Sequence, residues 1–141
     1  MKALTLLTHP DPELLQSVAV EHGVDDLPER VTNGNMAVLS INDTNALLFV
    51  SAGQTKDTNA KALWIEGVAG KCFSNAKRNL RLIRDVLSDC EVLASITGAS
   101  EIRIEASTRN RLKLNLFQTF GFVPLRVGQD TVMRKGLSHG T

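Results

Sequence analysis

At 141 residues with a formal net charge of +1, the chain has the length of one domain and no global field to draw it to nucleic acid or an anionic membrane. A hydrophobic share of 43% beside 22% charged residues excludes a disordered or fibrous chain, and a domain of this size buries about 70% of the surface its unfolded chain exposes. Cys72 and Cys90 lack C-x-x-C spacing, which argues against a disulfide scaffold or a metal site and predicts free thiols in a reducing compartment.

The opening run from Met1 to Pro10 lacks the long apolar core of a signal peptide, and no segment approaches the roughly 18 apolar residues of a membrane span. A cytoplasmic protein without membrane contact is expected, or one in a host cytoplasm or virion. Lys2 to Thr8 reads as a strand ended by Pro10 and Pro12. Asp11 is an N-cap with Pro12 at the first helical position and Glu13 behind it, predicting a helix through about His22 stopped by Gly23. Asp25 to Arg30 reads as one loose turn, and Asn33-Gly34-Asn35 as turn chemistry.

Met36 to Ile41 and Ala46 to Ala52 are rich in Val, Ile, Leu or Phe and face each other across four polar residues, predicting an antiparallel hairpin. A polar loop, Gly53 to Asn59, leads to a fourth strand, Ala62 to Val68. The junction Ala69 to Asn75 precedes a long helix with Leu80, Ile83, Leu87, Cys90 and Ala94 at three- and four-residue steps, widened by Val86 and Leu93. Ser74 is its N-cap candidate, and Gly98 closes it. Ile102, Ile104 and Ala106 then alternate with Arg103, Glu105 and Ser107 as a strand, followed by an amphipathic helix from Asn110 that Gly121 stops. Phe122 to Lys135 reads as two strands around a Gly128-Gln129-Asp130 turn, open to pairing between subunits as a homodimer edge.

The order β-α-β-β-β-α-β-α-β-β predicts an α+β fold, a mixed and mostly antiparallel sheet flanked by helices. We expect a single domain over residues 1–135, with a flexible tail over 136–141.

That order, together with Asn110, the helix through Leu116 and Phe117, and the Gly121-Phe122 ending, resembles the GNAT family of acyl-CoA-dependent N-acetyltransferases. The resemblance implies acetyl-CoA as cofactor, no metal, and an amine acceptor. It implies that Lys71, Ser74, Asn75, Ala76 and Lys77 form the pyrophosphate loop with the helix N-terminus, where backbone N–H groups and the dipole favour an anion. Ser74 stands where the family has a glycine, and Phe73 adds bulk to that loop. Lys71, Lys77, Arg78 and Arg81 cluster there, and cations at a helix N-terminus call for solvent or an anionic partner.

By the same resemblance, Gly67 or Val68 supplies the strand N–H that polarises the thioester carbonyl, Glu66 is the base, and Asn110 lies at the cofactor. The helix tyrosine that commonly donates the last proton is replaced by Phe117, since the chain has no tyrosine. Glu105 and Ser107 share the polar face of the neighbouring strand, and no His motif assigns chemistry to His9, His22 or His139. Three readings therefore stand: an N-acetyltransferase; a catalytically degenerate module of the same fold; and a CoA-responsive binding domain. Gly70-Lys71 and Ala76 to Arg81 also look like small phage virion proteins that carry such a fold without an active site, which gives the second reading a virion role.

Overall fold

The structure is a computed structural model, and it describes residues 1–70 and 76–137. After the short strand β1 (Leu4–Leu6), helix α1 (Pro12–His22) starts at Asp11, whose side chain accepts from the Glu13 N–H, and it ends at Gly23 in the left-handed conformation. Where one loose turn is expected, the chain forms a real helix, α2 (Leu27–Thr32). Pro28 presets the first-turn backbone, and Leu27 anchors the helix in the core. The hairpin β2 (Ala37–Ile41) and β3 (Leu47–Gln54) pairs antiparallel as expected. β3 runs two residues past Ala52 because Gly53 and Gln54 stay in register with Ala62 and Lys61 of β4 (Lys61–Ala69).

The long helix α3 (Ala76–Thr97), strand β5 (Glu101–Ser107), helix α4 (Arg111–Thr119) and strands β6 (Val123–Val127) and β7 (Asp130–Gly136) complete the order. The proposed cap Ser74 lies outside the described residues, as do residues 138–141 of the tail expected over 136–141; Gly136 instead ends β7, and Leu137 packs on the core with its N–H donating to the Ser100 carbonyl at 2.9 Å. Among the described residues, seven strands form one sheet in the order β1-β2-β3-β4-β5-β7-β6. Every neighbouring pair is antiparallel except β4 and β5.

Each face of the sheet is covered by its own pair of helices. Ile83, Val86, Leu87, Cys90 and Ala94 of α3, with Leu114 and Phe117 of α4, pack on Leu39, Ile41, Leu48, Val50, Leu63, Ile65, Ile102 and Ile104. On the opposite face Leu15, Val18 and Ala19 of α1, with Leu27 of α2, cover Val38, Leu47, Phe49 and Ala69. The buried Asp89 of α3 pins the first strand by accepting from the backbone N–H groups of Lys2, Ala3 and Leu4 at 3.1, 2.7 and 3.0 Å. Cys90 beside it is free and buried, and burial, with Asp89 and Glu91 nearby, pushes its thiol up to about 12, so it is a packing group.

Arg103 lies on the polar side of β5 by alternation, yet it is only 1% exposed. The β3–β4 loop folds over it. Its guanidinium pairs with Glu101 at 2.6 Å and Asp57 at 2.9 Å, donates to Thr58 at 2.9 Å, and stacks over the Trp64 ring at 5.6 Å. The hydrogen bond from Arg103 holds the Asp57 carboxyl down at about 2, helped by the Thr58 N–H and by Arg126.

A carboxyl whose folded value is depressed stabilises the fold above its unfolded value of about 3.9, and that contribution is lost as pH falls through the folded value. Urea midpoints recorded from about pH 5 down to about pH 2 are therefore expected to fall less steeply in Asp57→Asn than in the native chain. Parallel curves for the two proteins would remove Asp57 from the acid response.

Candidate active site

The parallel pair β4 and β5 is joined over a short stretch only. Its register runs from Ala62 opposite Glu101 to Ile65 opposite Ile104 and stops. Beyond that point β4 continues along β3 to Ala69, while β5 continues along β7 to Ser107. The two strands thus part, each held by its other neighbour, and the facing edge of β4 from Glu66 onward has no ladder partner among the described residues. Backbone groups on that edge are free to bind something placed between the strands.

A β-bulge sits where the strands part. Val50 of β3 pairs with Ile65, and Phe49 pairs with Gly67, so Glu66 is the extra residue. The insertion reverses the alternation of β4: Leu63 and Ile65 belong to the α3 side, whereas Ala69 belongs to the α1–α2 side. Glu66 is in turn fixed from two directions. Its Oε1 accepts from Ser51 Oγ of β3 at 2.6 Å and from Arg30 Nη2 of α2 at 3.4 Å, leaving Oε2 without a partner among the described residues.

Next to this carboxylate is a cavity of about 80 Å³ between the sheet and the first two helices. Val18, Val24, Leu27, Met36 and Phe49 give it apolar walls, Arg30 and Glu66 stand on its lining, and Gly67 to Ala69 of β4, paired with β3 alone among the described residues, line it too. The cavity and the parted strands therefore share one stretch of backbone.

Of the residues singled out in the sequence, Glu66, Gly67 and Val68 come together here. Asn110 is the N-cap of α4, its side-chain oxygen accepting from the Lys113 N–H at 3.2 Å. Ala76 and Lys77 begin α3, while Lys71, Ser74 and Asn75 lie outside the described residues. Glu105 and Ser107 are exposed on β5, and among the described residues neither bonds to Glu66. Phe117 is buried, its ring edge-on to Phe122 at 5.4 Å, so it packs and donates nothing.

Sequence reasoning missed Arg30, Ser51 and Lys113. Arg30 and Ser51 lie 36 and 15 positions from Glu66, with no local pattern to join them. Lys113 is half-buried one turn before Phe117, and burial lowers its ammonium from the ordinary lysine value.

A mixed sheet that parts at its one parallel pair, bulged at the opening and covered by two helices on each face, is the fold of the GNAT acetyltransferases, and solved structures match it along nearly the whole chain. A GNAT-family acetyltransferase from Listeria monocytogenes aligns with a TM-score of 0.64 at 12% identity, over 97% of this chain and 99% of that one. A Bacillus subtilis acetyltransferase in complex with CoA aligns at 0.62 and 16%, over 96% and 99%. A GNAT-family acetyltransferase from Streptococcus pneumoniae aligns at 0.56 and 18%, over 95% and 99%. No protein-family model and no curated protein sequence matches the chain. The protein has the GNAT fold, as its element order and the Asn110 to Phe122 stretch led us to expect.

The chain leaves β4 through Gly70, which has φ +109°; an added Cβ would lie 3.0 Å from the Cα and Cβ of Ala46. Gly70→Ala is expected to destabilise the chain by about 1–3 kcal/mol, from left-handed strain and the clash with Ala46. Thermal and urea unfolding measure this, and an unchanged midpoint would mean that the backbone at Gly70 is free to move.

Proposed function

We propose that the protein is an acyl-CoA-dependent N-acyltransferase that moves an acetyl group from acetyl-CoA to an amine. The observation that carries this reading is the unpaired edge of β4 with Glu66 bulged beside it, at the wall of a cavity that can admit an acceptor. A CoA thioester fits the opening, because a chain bearing amide groups needs backbone donors and acceptors that a paired strand would not offer. When bound, acetyl-CoA supplies an activated acyl group on a thiol leaving group.

The protein's own residues do the rest. Lys71, Ser74, Asn75, Ala76 and Lys77, with the start of α3, hold the pyrophosphate. A backbone N–H of Gly67 or Val68 binds the developing oxyanion. Glu66, positioned by Ser51 and Arg30, takes a proton from the acceptor ammonium on its free Oε2. Asn110, which caps α4, lies at the cofactor in this reading. Since Phe117 cannot donate, the half-buried Lys113 is the cationic group on that side of α4.

The test has two measurements on the full chain. CoA titrated by calorimetry is expected to bind saturably, and thiol release from acetyl-CoA with an amine panel is expected to fall roughly 100-fold or more in Glu66→Gln, with CoA affinity retained. Failure of the folded protein to bind millimolar CoA would defeat the proposal. CoA binding without turnover on any amine would favour the catalytically silent reading, for which Phe117 is the supporting feature.

A further inference from the structure

Building on the acyltransferase reading, we infer that the acceptor is a free α-amino acid with an aliphatic side chain, bound as its zwitterion across Arg30 and Glu66. Three features of the cavity converge on that class. The walls are apolar and small, so the ligand carries a compact hydrocarbon group; a cavity of about 150 Å³ is what takes up a benzene ring, and this one, at about 80 Å³, suits a branched aliphatic group better than an aromatic one. The polar groups on the lining are one cation and one anion, Arg30 and Glu66, each 30% exposed by side chain and 3.4 Å apart.

The third feature is unused bonding capacity on both members of that pair. Glu66 has a free Oε2, and Arg30 spends one of its five N–H donors on Glu66, with no other partner among the described residues. An ammonium fits Oε2 and a carboxylate fits the planar fork of Arg30. The α-ammonium and α-carboxylate of an amino acid are joined through one carbon, which also bears the side chain. One small ligand thereby answers a closely spaced pair of opposite charges and an apolar recess together. A monoamine would leave Arg30 unanswered, and a peptide N-terminus would present an amide to it instead of a carboxylate. The site is built from α2, β3 and β4, so the α2 helix itself reads the carboxylate.

In the reaction, the α-ammonium loses its proton to Glu66, and the neutral nitrogen forms the amide bond as the carbon–sulfur bond of the thioester breaks. The electron pair leaves on the CoA sulfur, which takes up the second N–H proton released as the amide forms, and Glu66 returns the first proton to water, so acetyl-CoA and the amino acid give the N-acetyl amino acid and CoA thiol.

The experiment compares L-leucine, leucinamide and L-phenylalanine by calorimetry and by acetyl-transfer kinetics, using the native chain, Arg30→Met, Arg30→Lys and Glu66→Gln. Leucine is expected to bind at least 10-fold more tightly than leucinamide and than phenylalanine. Arg30→Met is expected to erase the leucine–leucinamide gap, Arg30→Lys to retain part of it, and Glu66→Gln to weaken both ligands. Circular dichroism confirms that each variant is folded. Equal binding of leucine and leucinamide by the native chain overturns the inference, as does a gap that survives Arg30→Met. If CoA binds and other amines are acetylated while leucine is ignored, the substrate class fails and the acyltransferase reading stands. Leucine that binds with the Arg30 dependence but is never acetylated overturns the acceptor assignment, and turnover on the other amines then decides whether the acyltransferase reading stands.

Discussion

The fold turns on a buried guanidinium. Arg103 of β5 is desolvated, a state that costs several kcal/mol unless its donors are met, and it is met by Glu101 on its own strand, Asp57 and Thr58 on the β3–β4 loop, and the Trp64 ring on β4. Trp64 is also its register partner. The cluster thus ties together the two strands and the loop at the one place where β4 and β5 are joined. Beyond Ile65 and Ile104 the same strands separate, so the cleft opens from a fastened end. Losing one member of such a cluster leaves a buried charge exposed to its own desolvation cost, which is why the closed end resists sliding.

From that fixed end a single inserted residue decides what the open end presents. Without the bulge, Ala69 would lie on the α3 side together with Leu63 and Ile65; with it, Ala69 packs beneath α1 and α2. Glu66 keeps the face of Trp64, where Ser51 and Arg30 reach it from two other elements, and the strand beyond it changes face.

The parts legible in the sequence were those written locally. Asp11 with Pro12, the stripe from Leu80 to Ala94, and Asn110 with Gly121 each carry their signal within a few turns, and each forms as read except that Leu80, at the head of the stripe, is exposed. Gly121 takes φ +94°, the left-handed stop that its position implied. The hairpin was legible for the same reason. The bulge was not, because Ile65-Glu66-Gly67 reads as ordinary alternation until β3 fixes a register against it. Arg103 showed its face but not its burial, since the cover comes from a loop 45 or more positions away. The short α2 was read as a turn because its stability comes from Leu27 in the core, a tertiary fact. Lys71, Ser74 and Asn75, the densest group of sequence predictions, lie outside the described residues.

Phe117 looks at first like a defect in an acyl-transfer site, yet the two proton transfers are unequal in difficulty. An amine ionises near 8 to 10 and is protonated at neutral pH, so it is a poor nucleophile until a base acts; a thiol ionises near 8.5, and its anion leaves with modest help. A site pressed to keep one of the two groups does better to keep the base. Here the proposed base stands on a bulge with two positioning partners, while Phe117, where the resemblance led us to expect an acid, belongs to an aromatic pair in the core under α4. Phe117 and Phe122 are stacked edge to face at 5.4 Å, and a hydroxyl inserted into that contact would need a partner of its own. The helix that most clearly marks the fold therefore serves packing first, and the proposed chemistry is concentrated on β4.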